Sequence, residues 1–365
     1  MTLLYILGDT LLYACFALLI GHFSLQLIPH TYRPDVAFPI RWIRLLILLI
    51  PVFFSLSVIR IVLYLQEDIG LWLTLRSVLL TFEAGNALIL MTICCILLFL
   101  VVRNTSLHSG RLKFALFLLL AMVGTLAWSG HASSITGAEG LLVHTAHALS
   151  VFIWTGGLLV LGYSNASNPR WDNVLEWFRP LVTLCFLIIL GSGIYLMSVV
   201  VKVDDYPNSW ILPYGQALLW KHVLILPVLI IGFMNGKWSY ASSKQTLKVK
   251  QMRMRMEGTL ILFIFAATAL LGQQEPPHSV EDTLKSSGAG QLSAFVFPNL
   301  RFAYSNIEFE PGMTSVLFLV IGLLFGGLVV FLIRKTNESI KTLFLGLGMS
   351  VSLFLAFLYS ISLTF

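Results

Sequence analysis

Long apolar stretches separated by short polar interruptions recur along the whole chain. Each is long enough, at a rise of ~1.5 Å per residue, for a helix to cross a hydrocarbon core of ~30 Å. Apolar residues run continuously through each stretch, as they do in membrane helices. The strands of a membrane barrel would instead alternate apolar and polar residues. The pattern predicts an all-α polytopic bundle of about ten transmembrane helices, at 4–28, 41–65, 77–102, 113–129, 140–163, 178–201, 215–235, 256–272, 312–333 and 340–361.

The composition agrees with a membrane class. Of the 365 residues, 58% are hydrophobic and only 11% are charged, with a mean hydropathy of +0.88. A soluble domain carries roughly a quarter charged residues. The first stretch has no basic segment before it and contains Asp9, so we expect it to be a membrane helix and not a cleaved signal. We expect a multi-pass protein of the cytoplasmic membrane.

The basic residues divide unequally between the two sides of the predicted bundle. Of the 23 Lys and Arg residues, 17 fall at one set of helix ends and loops, and Arg60 and Lys221 fall within helices. Short loops rich in Lys and Arg stay on the cytoplasmic side. This asymmetry predicts that both termini face outward, and it explains the net charge of +6 without a nucleic-acid partner. The remaining cations on the outer side are Arg76, Lys202, Lys285 and Arg301.

The sulfur-containing residues give weaker signals. All four cysteines lie within apolar stretches without a CxxC spacing, which favours small buried hydrophobes over a disulfide framework. The run Met252–Met256, in which methionine alternates with arginine, has soft thioethers that suit copper(I). Its basic surroundings favour a juxtamembrane segment, with methionines on lipid and arginines on phosphate.

Ionisable residues concentrate at one depth of the predicted bundle. Counting along each helix from its predicted outer end places most of them ~6–10 Å below the outer face. Charges at such a depth are expensive, and by default they indicate function. The layer predicts an outward-opening polar chamber formed by Asp9, Arg60, Glu83, His131, His144, His147, Lys221 and His222.

Two interpretations of this layer stay open at the level of the residues. His144 and His147 are spaced i, i+3 and project from one helix face, which suits two ligands of one metal. The same histidines could instead hydrogen-bond a neighbouring helix. Arg60 and Lys221 could neutralise the acidic members in buried pairs. Trp154 lies near mid-membrane, where we expect it to form the chamber floor.

Ordered motifs across the middle of the chain resemble the CopD family of copper-handling membrane proteins. Gly130-His131-Ala132 precedes a histidine helix that ends in Trp154-Thr-Gly156-Gly157-Leu158. A glycine helix, a YG-x4-K helix and a terminal Pro-Pro follow, and they comprise Gly191-Ser-Gly193, Tyr214-Gly215 with Lys221, Asn235, and Pro276-Pro277. The resemblance runs from about 125 to 277, with the first helices similar in arrangement only.

The resemblance implies copper transport or uptake across the membrane, and a role in copper homeostasis or resistance, without enzymatic activity. It implies that copper is held by some of the chamber's histidines and carboxylates, and that a separate CopC-like extracytoplasmic protein could supply it. We expect four regions: 1–111 with the first three helices, a CopD-like core at 112–277, an extracytoplasmic loop at 278–311, and a helical hairpin at 312–365.

Two other functions use the same residues. Helix-borne histidines with a W-x-G-x-L helix also resemble membrane haem proteins of the HemJ type, with haem b as the cofactor, since imidazole is a common haem ligand. A copper-binding sensor without a conducting path would need the same chamber. The sequence does not separate these alternatives.

Overall fold

The structure, a computed structural model, describes residues 2–34, 38–103, 107–163, 171–241, 247–277, 279–296, 306–335 and 338–364. Within these ranges the chain is almost entirely helical. The helices are α1 (Thr2–Leu25), α2 (Ile40–Ile69), α3 (Leu71–Thr81), α4 (Glu83–Val101), α5 (Ser109–Trp128), α6 (His131–Thr136), α7 (Ala138–Gly162), α8 (Trp171–Val200), α9 (Pro213–Ala241), α10 (Leu247–Gly272), α11 (Val280–Ser287), α12 (Gln291–Val296), α13 (Met313–Lys335) and α14 (Ser339–Leu358).

Ten helices of the described chain are long and apolar enough to cross a membrane, which confirms the predicted number. They are α1, α2, α4, α5, α7, α8, α9, α10, α13 and α14. A short antiparallel pair, β1 (Asn306–Phe309) and β2 (Ile361–Thr364), joins two segments outside these helices. The all-α polytopic class is therefore confirmed, and the outward orientation of the termini stays a prediction.

The chain forms two compact units, residues 1–199 and 200–365. Their boundary falls inside the region 112–277 that we expect to form a CopD-like core. The first unit contains α1 to α8 and the second contains α9 to α14 with both strands. The four-region division rests on the family resemblance and stays a prediction.

Small residues bring α1 and α7 together at the core of the first unit. A Cβ atom on Gly156 of α7 would lie 1.9 Å from the carbonyl oxygen of Ala17, and one on Gly21 would lie 2.3 Å from the Gly156 carbonyl carbon. The two backbones therefore touch. Because lipid tails are as apolar as leucine, membrane helices associate through close packing, which small residues permit.

The predicted helix 77–102 is divided into α3 and α4 by Phe82, whose backbone is extended. Helix α3 packs on α2, where the Thr74 hydroxyl lies 3.4 Å from the Leu65 carbonyl oxygen. Gly85 permits the tight reversal, because a Cβ there would lie 1.9 Å from the Val78 carbonyl oxygen. Apart from Gly85 and Asn86, which lie just beyond Phe82, the apolar pattern does not mark this break, so hydropathy alone joined the two helices.

In the second unit α14 packs against both α13 and α9. The Ser350 hydroxyl of α14 donates to the carbonyl of Val223 in α9, at 3.2 Å. Trp220 of α9 stacks on Phe354 of α14, with ring centroids 4.4 Å apart. The C-terminal helical hairpin is therefore part of this unit's core.

Short segments cover one end of the second unit. Two 3-10 turns, Val203–Asp205 and Asn208–Ile211, precede α9. The Gly290 amide donates to the carbonyl of Ile211, and buried Val280 and Leu284 place α11 on the same apolar cluster as Trp210. The predicted loop 278–311 is thus partly helical and packed, while residues 278 and 297–305 of it lie outside the described residues.

Candidate functional site

The predicted histidines of the first unit gather where α5 ends and α7 begins. Helix α6 links the two, and Gly137 between α6 and α7 has a φ of +62°, a conformation that glycine adopts without strain. A Cβ on Gly130 would lie 2.9 Å from Cε1 of His144. The imidazole of His144 therefore lies against the backbone that leads directly into His131.

His147 of α7 contacts the glycine helix α8. Its Nδ1 lies 2.9 Å from Oγ of Ser192, and its Cε1 approaches Gly193. The Ser192 hydroxyl also donates to the backbone carbonyl of Ile188. A hydroxyl has a single proton, so once Ser192 donates to Ile188 it can only accept from His147. The hydrogen-bond network thus places the imidazole proton on Nδ1 and leaves the lone pair on Nε2.

This arrangement is the one that metal-ligating histidines use. A ligating imidazole donates its other ring N–H to a carbonyl, a carboxylate or another acceptor, which fixes the tautomer and the ring orientation. Ser192 supplies that acceptor for His147, and the small Gly193 lets α8 approach the ring. In this tautomer Nε2 of His147 carries the ring lone pair, and its role as a metal ligand stays a prediction.

His131 begins α6, and its side chain is exposed on one side. Desolvation by the packing around the ring, and secondarily the positive charge of Arg60, lower the pKa of His131 below its usual value. A lowered pKa keeps the imidazole neutral to a more acidic pH, and the neutral form is the one that binds metal. The charge of Arg60 therefore acts on His131, and its pairing with Asp9 or Glu83 stays a prediction.

A further polar group at this end is the hydroxyl of Tyr195. The hydroxyl of Tyr195 in α8 interacts with Thr136 of α6 and with Glu139 of α7. Together with the His147–Ser192 bond, this contact joins α8 to the α6–α7 corner. We name this cluster of His131, His144, His147, Ser192 and Tyr195 the histidine corner.

The predicted carboxylates lie elsewhere in the first unit. Asp9 is half-buried in α1 and accepts a hydrogen bond of 3.4 Å from Ser57 of α2. Glu83 is exposed in the first turn of α4, where a carboxylate is favoured by the helix dipole. Both remain predicted copper ligands without a described contact to a histidine.

Trp154 is buried in α7 and meets Phe186 of α8 edge to face, with ring centroids 6.4 Å apart. It lies on the helix that carries His144 and His147, about two turns beyond His147. This position is compatible with the predicted chamber floor, which stays a prediction.

Lys221 and His222 belong to the second unit. Nδ1 of His222 lies 2.5 Å from the hydroxyl of Tyr206, and the two rings meet at 72°. Burial raises the pKa of Tyr206 to about 12, so the phenol stays protonated at neutral pH. Nδ1 of His222 is thus engaged by Tyr206, and His222 stays a predicted copper ligand. Lys221 is half-buried in the same helix.

A buried carboxylate that the sequence analysis missed lies in α10. Glu257 is 4% exposed, and the Asn235 amide of α9 donates to it at 3.1 Å. A Cβ on Gly232 would lie 3.2 Å from the carboxylate, so the glycine leaves room for it. The segment predicted at 256–272 put Glu257 at a helix end, whereas α10 begins at Leu247 and carries it within the helix.

The longer α10 also changes the interpretation of Met252–Met256. This run is helical, and Arg253, Met254 and Met256 are buried in the protein. The Arg253 guanidinium donates to the carbonyl of Ile333 at 2.7 Å. The expectation that its methionines lie on lipid and its arginines on phosphate is therefore wrong for these three residues.

In the described part of either unit, no three His, Cys, Asp or Glu side chains are assembled so that they could hold a metal ion. Neighbouring imidazoles at the histidine corner would have to rotate to share one ion.

The fold and the corner define a class: an all-α, multi-pass membrane protein whose polar chemistry is concentrated at the ends of its helices. Residues 172–272, which run from α8 to α10, match the profile of the family described as Copper resistance protein D, CopD. This stretch is therefore similar to the CopD copper-resistance family, and the match covers less than half of the chain. No curated protein and no solved structure matches the chain.

Proposed function

We propose that the protein takes up copper across the cytoplasmic membrane and that the histidine corner receives the ion. The observation that carries this proposal is the bond between His147 Nδ1 and Ser192, which presents the Nε2 lone pair of His147 as a ligand. Ser192 lies within the stretch that matches CopD, so this hydrogen bond joins His147 to the matched stretch.

His144 and His131 complete the proposed ligand set. The imidazole of His144 lies against the backbone at Gly130. Desolvation and the positive charge of Arg60 favour the neutral form of His131. Three neutral imidazoles would bind copper without a compensating carboxylate, since imidazole suits copper in either oxidation state. Asp9, Glu83 and His222 remain proposed contributors to a wider chamber.

Soft groups deeper in the first unit support an inward path. Met91, Cys94 and Cys95 of α4 are buried, as is Met122 of α5, and α4 packs against α5. Thioether and thiol sulfur suit copper(I). The uptake direction rests on the unequal distribution of Lys and Arg, which assigns the histidine end to the outer face.

The test is copper uptake into proteoliposomes and copper content of the purified protein, compared with a His144→Ala/His147→Ala variant. We expect the variant to lose at least tenfold in bound copper and in uptake. A matched control is His108→Ala, an exposed histidine that precedes α5 at its opposite end. Equal binding by both variants would refute the assignment.

The same samples separate the alternatives. Copper that binds at the corner without uptake into vesicles would place the protein among copper sensors or assembly factors. A Soret band lost with the two histidines, without bound copper, would place it among haem proteins. A CopC-like donor would be indicated if uptake from chelated copper needed an added extracytoplasmic protein.

A further inference from the structure

An apolar groove runs along the α13–α14 hairpin of the second unit. It has a volume of about 400 Å³ and is lined by Leu328, Phe331, Leu332, Lys341, Phe344 and Leu345. Phe331 and Phe344 are 49% and 67% exposed. Both helices are membrane spans by length and hydropathy, so this groove faces the acyl region of a bilayer.

Basic side chains stand at one end of the groove. Nζ of Lys335 lies 5.6 Å from the ring centroid of Phe331, which ties this cation to the groove wall. Lys341 lines the groove itself, and Arg334 precedes Lys335 at the end of α13. All three are exposed. One carboxylate, Glu338, lies 2.5 Å from Lys341, so the cluster keeps a net positive charge.

We propose that this groove is a binding site for an anionic phospholipid, with one acyl chain along α13 and α14 and the phosphate between Lys335 and Lys341. The acyl chain gives no preference by itself, because lipid tails are as apolar as the leucines they contact. The headgroup charge supplies the selectivity. Basic pockets between membrane helices at one face recognise anionic headgroups.

The size of the preference follows from the number of cations. Each Lys or Arg near the headgroups contributes about fivefold in affinity for an anionic lipid. Glu338 offsets one of the three cations, which leaves about 25-fold in favour of an anionic over a zwitterionic lipid of the same chains. Arg253 lies near the same helix ends but is buried and donates to Ile333, so it adds nothing to the exposed cluster.

The test is native mass spectrometry of the full-length protein titrated with phosphatidylglycerol or with phosphatidylcholine of identical chains. In Lys335→Ala/Lys341→Ala, retention of phosphatidylglycerol should fall 5- to 25-fold, with phosphatidylcholine unchanged. In Glu338→Gln it should rise about fivefold, because Lys341 loses its partner. Leu328→Trp, which fills the groove, should reduce both lipids equally.

The control is Lys248→Ala/Lys250→Ala, which removes the same charge from α10 and leaves the groove intact. If this control reduced phosphatidylglycerol as strongly, binding would depend on overall charge and the site would be refuted. Equal retention of both lipids by the wild-type protein would also refute it. A dimer mass that the groove variants abolish would show that a second copy of the chain occupies the groove, against the proposal.

Discussion

Ser192→Ala tests how His147 is prepared for copper. The substitution removes the hydroxyl that lies 2.9 Å from Nδ1 of His147, and it leaves the imidazole itself in place. It also removes a donor to the Ile188 carbonyl, but that carbonyl belongs to the helix ladder of α8. The variant should therefore change the tautomer and orientation of the ring more than the fold.

Two independent magnitudes agree on the size of the effect. Loss of a supporting partner behind a ligating histidine costs about 10- to 100-fold in metal affinity. A donor that loses its acceptor inside a protein costs about 1–3 kcal/mol, and each ~1.4 kcal/mol is tenfold in an equilibrium constant. We therefore expect copper affinity to fall between 10- and 100-fold in Ser192→Ala.

Copper affinity would be measured by competition with a chromophoric chelator on protein in lipid nanodiscs. Ser192→Thr should restore affinity because its hydroxyl can accept the same bond. Ser198→Ala is the matched control, since Ser198 is exposed on the same helix and its hydroxyl donates only to the backbone of Tyr195 in the described contacts. Wild-type affinity in Ser192→Ala, with the thermal stability unchanged, would refute the role given to His147.

Three further outcomes follow from single contacts. Arg60→Gln should let the pKa of His131 rise, so the imidazole becomes protonated and copper is released at a higher pH than in the wild type, as a pH series of copper binding would show. Gly156→Ala should destabilise the protein by about 1–3 kcal/mol, measured by denaturation in detergent, because its methyl group would meet the Ala17 backbone. Glu257→Leu should cost a similar amount by leaving its amide partner unpaired.

Each of these has a control of the same chemistry. Gly191→Ala adds a methyl group where no atom lies within 4 Å, so its stability should match the wild type. Glu257→Gln keeps an acceptor for Asn235 and should be nearly neutral in the same measurement. Arg76→Gln removes an exposed charge of α3 that is not one of the residues named for the histidine corner, and the pH dependence should stay unchanged. If a control variant behaves like its test variant, the cited contact is not the cause of the effect.

The number of membrane helices could be predicted because hydropathy is a sum over about twenty residues and tolerates local error. Helix boundaries depend on single residues and were less secure. Gly85 and Asn86 give only a weak sequence signal for the break at Phe82, and the basic residues that follow Leu247 hid the start of α10. Glu257 was missed for that reason: its burial follows from where the helix begins, not from its neighbours in sequence.

The histidines could be found from the sequence, but their partners could not. Depth counting placed His144 and His147 at one end of a helix, and the structure supplies Ser192 as the acceptor for the second of them. Serine in an apolar stretch carries no distinctive signal, because it can bond its own helix backbone. The i, i+3 spacing also says nothing of the tautomer, which only a partner on another helix can set.

Depth along the helices places the proposed copper ligands of the first unit beside soft sulfur groups. From the corner, His144 lies ~9 Å along α7 and His147 ~14 Å, while Met122 of α5 and Met91 of α4 lie at ~9 and ~12 Å from the same end. Cys94 follows at ~17 Å. Nitrogen and sulfur groups therefore overlap in depth, with Cys94 the deepest of these five residues, and sulfur suits copper(I). Since these sulfur groups are buried in packed helices, an ion at the corner reaches them only if the helices move, and loading can therefore be separated from transit.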